Sequence, residues 1–255
     1  MKRLMKAMSA IMLMTVMLFA IGCGKEDNPN HGNGNNGGGN GGGLNGHEYV
    51  DLNLPSGTLW ATCNVGATTP EGYGDYFAWG ETESKTIYDY TTYNYCVSDN
   101  VSWSHPLTKY CNDPEWGYNG YSDDLTILQA SDDAATAKWG NGWCMPTADQ
   151  WRELKDNTDF QWMTQDGVEG MLLTAPNGNS LFLPAAGACW DHGLNLVDFF
   201  GGYWSCSLNT DNPFYAWGIF FNPESFDNTT NIYYGMDNLL SRCYGLSVRA
   251  VRSAK

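Results

Sequence analysis

The chain predicts an α+β domain, with two helices packed to one side of a mostly antiparallel sheet and long irregular loops between elements. Three observations lead there. Strand-like segments bounded by turn residues occupy positions 47–79, the only capped helical segments lie between 131 and 156, and strand patterns resume from about 170. Strands, then helices, then strands is the order of an α+β fold, not of alternating βαβ units.

Tyr49 and Val50 lead the first strand, residues 59–65 form the second, and Pro55-Ser56-Gly57 makes the turn between them. DYFAW (75–79) is a third strand. From 81 to 124 the sequence is polar and Tyr-rich with no sustained period, which predicts a surface excursion with function or local order of its own. Ser131 and Asp132 can cap a first helix, DDAATAKW, that stops at Gly140. Thr147-Ala148-Asp149-Gln150 is a capping box opening a second helix, whose Trp151 and Leu154 share the buried face. GMLLTAPNGNSLFLPAAG reads as a hairpin turning at Asn177-Gly178. GGYWSCS, YAWGIFF and YGLSVRAV supply three further strands.

Ahead of the domain, Lys2, Arg3 and Lys6 precede an apolar run over 10–21. As a helix that run would rise about 18 Å, short of the roughly 30 Å core of a bilayer, so residues 1–22 read as a secretory signal. Ala20-Ile21-Gly22-Cys23 resembles the bacterial lipobox, which makes Cys23 the expected site of diacylglycerol attachment and outer-membrane lipid the expected partner. Ordinary cleavage after Gly22 is the alternative. Residues 23–46 are nearly all Asn and Gly, side chains that bury little, and such a tract predicts a flexible tether spanning roughly 25–30 Å. Lys25-Glu26-Asp27 resembles the acidic export signal of surface lipoproteins in Bacteroidota-type bacteria. It implies the cell outer membrane, facing the exterior. The domain itself is then 47–255.

Losing Lys2, Arg3 and Lys6 with the signal takes the formal charge from −15 to −18. So acidic a chain is repelled by phosphate backbones and anionic headgroups, which disfavours nucleic-acid partners and peripheral membrane docking. Of 11 Trp, 15 Tyr and 10 Phe, only Phe19 precedes the domain. That is more aromatic surface than a core of this size needs, and some of it is expected at a recognition surface. With Cys23 acylated, seven of the eight cysteines remain, none in CxxC spacing, so no zinc or thioredoxin-like site is expected. Cys96 and Cys111, bracketing a polar loop, are the preferred disulfide pair. Cys63, Cys189, Cys206 and Cys243 read as small buried hydrophobes.

Several blocks, YVDLNLPSGTLWATCNVGATTPEGYGDYFAWGET, DDAATAKWGNGWCMPTADQWREL, NGNSLFLPAAG, GGYWSCS and YGLSVRAV, resemble the FISUMP (Fibrobacter succinogenes major paralogous) domain family across residues 47–252. The resemblance implies a C-type lectin-like fold and a lipoprotein setting. It makes Trp143, Pro146 and Trp151 structural residues that fix the second helix. Cys144 stands where the family has arginine, and Cys206 interrupts its Trp-Ser-Ser-Ser run.

Lectin-like folds recognise ligands with their long loops and the adjoining strand, here residues 188–217. The expected ligand-binding set is Trp190, Asp191, His192, Tyr203, Trp204, Asn209, Asp211 and Tyr215, with Trp190 the leading exposed ring. Aromatic faces would stack on a sugar or a protein anchor while Asp and Asn fix polar groups. Glu-Pro-Asn, Trp-Asn-Asp and EF-hand patterns are absent, so neither calcium nor any other metal or cofactor is expected. The competing reading is an enzyme: formylglycine-generating oxidases share the fold and use paired cysteines. Cys206 and Cys243, 37 positions apart, lie outside that spacing. His105 and His192 are possible bases without a recognisable nucleophile. A third reading is a structural or adhesive subunit. The expectation is binding without catalysis.

Overall fold

The computed structural model describes residues 41–98, 105–223, 225–227 and 240–253; Cys23, the signal and the tether up to residue 40 lie outside the described residues. In chain order the elements are β1 (Gly41–Leu44), β2 (His47–Asp51), β3 (Thr58–Ala61), α1 (Ala134–Trp139), α2 (Ala148–Asp156), β4 (Asp159–Gln165), β5 (Val168–Thr174), β6 (Ser180–Pro184), β7 (Ala188–Trp190), β8 (Gly193–Asn195), β9 (Gly201–Leu208), β10 (Tyr215–Asn222), β11 (Ser225–Asp227), β12 (Leu240–Ser241) and β13 (Val251–Ser253). Two short helices against many short strands make this an α+β fold. One sheet runs β1-β2-β3-β13; another pairs β10 with β9, β11 and β12; β4-β5-β6 and β7-β8 are separate, and all these pairings are antiparallel.

The β9–β10 ribbon positions the rest. Every residue of β9 except Ser207 is buried. Because successive side chains point to opposite faces, Tyr203 enters one core with Trp60, Trp151, Ile219 and Phe221. Trp204, Cys206 and Leu208 enter the other, the first core, with Trp79, Trp139, Trp143 and Leu246. A strand covered on both faces carries no charged residue, and GGYWSCSL has none; its buried Ser205 is satisfied by donating to Trp217 O. Gly201 is required where it stands: a Cβ there would lie 2.0 Å from the Phe221 ring.

The α2 terminus forms as its sequence dictates. Thr147 accepts from Gln150 N and the Gln150 side chain accepts from Thr147 N, while Trp151 and Leu154 turn inward. Thr147→Ala is expected to cost about 1 kcal/mol, a fall in Tm of roughly 2–4 °C by calorimetry.

Elsewhere the structure corrects the sequence reading. The α1 cap is Asp133, not Ser131 or Asp132; its carboxylate accepts from Thr136 N at 2.9 Å and Met145 N at 2.8 Å. Asp132 is instead held by Lys109 and Tyr110, each at 2.5 Å. Burial works to raise its carboxyl, but these hydrogen bonds and that of Ser131 win and hold it below the usual value. The tether does not run to residue 46, because Gly41–Leu44 pairs with His47–Asp51. Leu44 packs on the first core, Trp143 Nε1 donates to its carbonyl, Asn45 Nδ2 donates to Trp139 O, and His47 stacks on Trp139 at 3.8 Å. Those contacts offset the backbone entropy that composition alone said would keep the tract unfolded.

Residues 75–79 make only an isolated bridge, Phe77 to Leu246, and the second strand stops at Ala61. In the closing segment only Val251–Ser253 is regular strand. The fully buried Arg249 donates to Ala61 O and Thr62 O, so a side chain occupies ladder acceptors just where the second strand ends. The first strand of the β4-β5-β6 sheet, DFQWMTQ, is an element that sequence patterning missed; Asp159, Phe160, Gln161 and Thr164 are exposed and no residue of it is fully buried.

Candidate functional site

The Tyr-rich excursion builds a third core rather than a solvated loop. Its tyrosines are anchored by their hydroxyls: Tyr88 to Tyr76 O, Tyr93 to Trp79 O, Tyr95 to Gly80 O and Tyr90 to Phe214 O. Each ring thus buries apolar surface while its hydroxyl satisfies a carbonyl that the missing strand pairing would have left open. Tyr88, Tyr93, Cys189 and Cys243 form the centre of this cluster.

Beside it opens a groove of about 490 Å³. One wall comes from the excursion: Tyr90, His105, Pro106, Glu115 and Trp116. The facing wall is Asn212, Phe214 and Tyr215 at the head of β10, with Ser241 of β12 beneath. Rings set the shape. His105 stacks on Tyr90 at 5.3 Å, and both Tyr90 and Trp116 meet Phe214 edge to face, at 5.7 and 5.4 Å. Trp116 nevertheless keeps 41% of its surface exposed, and Tyr118 and Tyr121 stand exposed a few residues on.

The backbone holds these side chains in place. Leu107 N donates to Trp116 O and Tyr118 N to Leu107 O, which pins the Trp116 segment to the His105 segment. Asp113 Oδ1 accepts from Glu115 N. Across the groove, Asn209 Oδ1 accepts from the amides of Asp211 and Asn212, and Asn212 Oδ1 accepts from Phe214 N. Asn112 Nδ2 donates to Thr210 O and bridges the two walls.

Underneath, one buried cation ties the walls together. Arg242 is wholly buried, donating to Tyr93 Oη, Tyr110 O, Pro213 O and Lys109 O, with its guanidinium 4.8 Å from the Trp79 ring centre and 5.3 Å from that of Tyr93. Every partner is neutral. The charge is held by oriented carbonyls and ring faces instead of a carboxylate. A second buried arginine, Arg249, has a neutral cage too, but its Nη2 finds no partner, and burial lowers its pKa.

The residues expected to bind ligand fall in different places. Tyr215 lines the groove. Asp211 is exposed on the loop beside it. Tyr203, Trp204 and Asn209 are corrected from ligand-binding to structural: Tyr203 and Trp204 are fully buried on the two faces of β9, and Asn209 is buried and spends its carbonyl on the loop backbone. Trp190, Asp191 and His192 form the tip of the β7–β8 hairpin, outside the groove. There Trp190 is half-buried against the first core and 6.1 Å from Tyr244, while Asp191 and His192 are exposed. Trp143 and Trp151 are buried, with Trp151 Nε1 donating to Trp204 O, and Pro146 O accepts from Cys206 N.

The expected Cys96–Cys111 disulfide does not form. Cys96 Sγ donates to Tyr90 O and Cys111 Sγ to Asp113 O, so the thiols serve separate segments. Burial raises both. Cys206 and Cys243 belong to different buried clusters, and burial pushes each thiol up to about 12, far from the thiolate a cysteine nucleophile needs. Among the described residues no group of His, Cys, Asp and Glu is placed to hold a metal ion.

Sequence reasoning missed Trp116, Tyr90, Phe214, Glu115 and Arg242. The available signal was the density of Tyr and Trp in the excursion, read as a surface feature but not paired with the residues near 212 and 241. Searches of family models, curated proteins and solved structures return no match to the chain.

Proposed function

We propose that this protein is a lipoprotein anchored through Cys23 in the cell outer membrane, facing the exterior, and that its domain binds a ligand without catalysis. The domain is read as FISUMP-type with a C-type lectin-like arrangement, on the strength of the sequence blocks quoted above. The observation that carries the binding role is the groove: four of its nine lining residues are Tyr, Trp or Phe and His105 adds a fifth ring, Trp116 is open to solvent, and the walls are braced by Arg242. A concave, mostly apolar, pre-formed site with a few fixed polar groups is what ligand recognition requires.

The test is capture by the full chain on arrays of glycans and of peptides, with Trp116→Ala alongside. Losing one exposed anchor ring should weaken any groove-bound ligand at least about tenfold while leaving Tm within about 2 °C. A ligand held equally well by the variant would remove the groove from the proposal. Trp190→Ala, on the β7–β8 hairpin outside the groove lining, is expected to lower stability through lost packing but to leave affinity per folded molecule unchanged.

A further inference from the structure

The charge and hydrogen-bond state of the groove say which ligand chemistry it accepts. Among the described residues no Lys or Arg lines it. Glu115 contributes a carboxylate that meets no cation among the described residues, and the flanking Asp113 and Asp211 add two more. The cations in the neighbourhood are committed elsewhere: Lys109 to Asp132, Arg242 to its buried cage. His105 is the other titratable ring in the wall besides the tyrosines.

Some of the neutral polar groups of the groove are spent, whereas His105 Nδ1 is buried without a hydrogen-bond partner among the described residues. Tyr90 Oη donates to Phe214 O and is bonded to Ser241 Oγ, while Asn212 Oδ1 is taken by Phe214 N. A flat cation would find aromatic faces, an uncommitted carboxylate and the long-range field of a chain at −18 without its signal. The protein itself shows how well such surroundings hold a cation, since Lys85, Lys109 and Arg242 all sit over tyrosine rings.

Resting on the binding role of this groove, we infer that its occupant is the guanidinium of an arginine in a basic segment of a partner protein. That group would lie on the Trp116 face and donate to Glu115. Arginine suits the site better than lysine because a planar fork can stack and pair with the carboxylate at once.

The experiment uses the full chain in detergent and two peptides, acetyl-Gly-Arg-Gly-Arg-Gly-amide and its citrulline counterpart, which keeps the shape but not the charge. The arginine peptide should bind at least about tenfold more tightly, and the gap should narrow at about 0.5 M salt. Glu115→Lys, at an exposed position, should abolish that preference, and Trp116→Ala should lose binding while Trp116→Tyr restores part of it. Equal binding of the two peptides would overturn the cation assignment. So would neutral oligosaccharides binding in a Trp116-dependent way while the arginine peptide does not, and in both cases the groove would stand. If ligands of either kind bind and none responds to Trp116→Ala, the groove reading falls as well. Should Trp116→Ala fail to fold, Glu115→Lys decides alone, and an undiminished arginine preference in it overturns the inference.

Discussion

Replacing Arg242 with methionine is expected to destabilise the fold by about 3–5 kcal/mol, a loss of roughly 10 °C in Tm for a domain of this size. The side chain is fully buried and serves four acceptors: Tyr93 Oη and the carbonyls of Lys109, Tyr110 and Pro213. Methionine fills similar space but donates nothing. Each abandoned buried acceptor costs about 1–3 kcal/mol, partly offset because a charge no longer has to be desolvated. Lysine should rescue little, since a single ammonium cannot reach acceptors fanned around a planar fork. Because Lys109 and Tyr110 belong to one groove segment and Pro213 to the other, ligand binding should fail along with stability. Denaturant titration and array capture, run on one preparation, check both. A variant with unchanged Tm would show that the cage contributes no net stability.

Trp204→Ala should be comparably costly, about 3–5 kcal/mol, through a cavity in the first core. Trp204 is fully buried, its Nε1 donates to Phe77 O, and its own carbonyl takes the Trp151 indole. The substitution therefore removes one buried ring and unhooks the strand-like 75–79 segment from β9. The consequence for function is diagnostic. A ligand-contacting Trp204 would lose affinity at constant stability, whereas a core Trp204 loses stability first. Thermal denaturation beside capture by the folded fraction at 10 °C separates the two, and undiminished affinity per folded molecule is the expected result.

The contrast between Trp204 and Trp116 shows what the sequence could convey. Local signals were legible: Thr147 and Gln150 close their capping box, Pro55-Ser56-Gly57 turns, and Asn177-Gly178 sits at the tip of the β5–β6 hairpin. They depend on residues within a few positions of one another. The α+β class followed from their order. What failed depended on distant partners. Sequence favours the core for Trp204 yet keeps it in the candidate binding set, because nothing local says that β9 is covered on both faces. Trp116 was passed over because its significance comes from Phe214, nearly a hundred positions on. Gly41–Leu44 was read as slack chain since glycine has no side chain to advertise a role; its partner strand and the Trp139–Trp143 pair supply one. The two buried arginines were invisible for the same reason: a lone Arg in an apolar stretch names none of its acceptors.

The long reach of the closing segment has a kinetic consequence. Arg249 meets Ala61 across 188 positions, and Val251 pairs with Trp60 in the sheet that begins the domain. Loop-closure entropy must be overcome before such contacts give any return, so a topology of this kind folds slowly. The early strands wait, incomplete, until residues 251–253 have emerged. Under the export proposed above, such a delay would keep residues 47–250 pliable during threading, and the sheet would lock only when Val251–Ser253 pairs with β3.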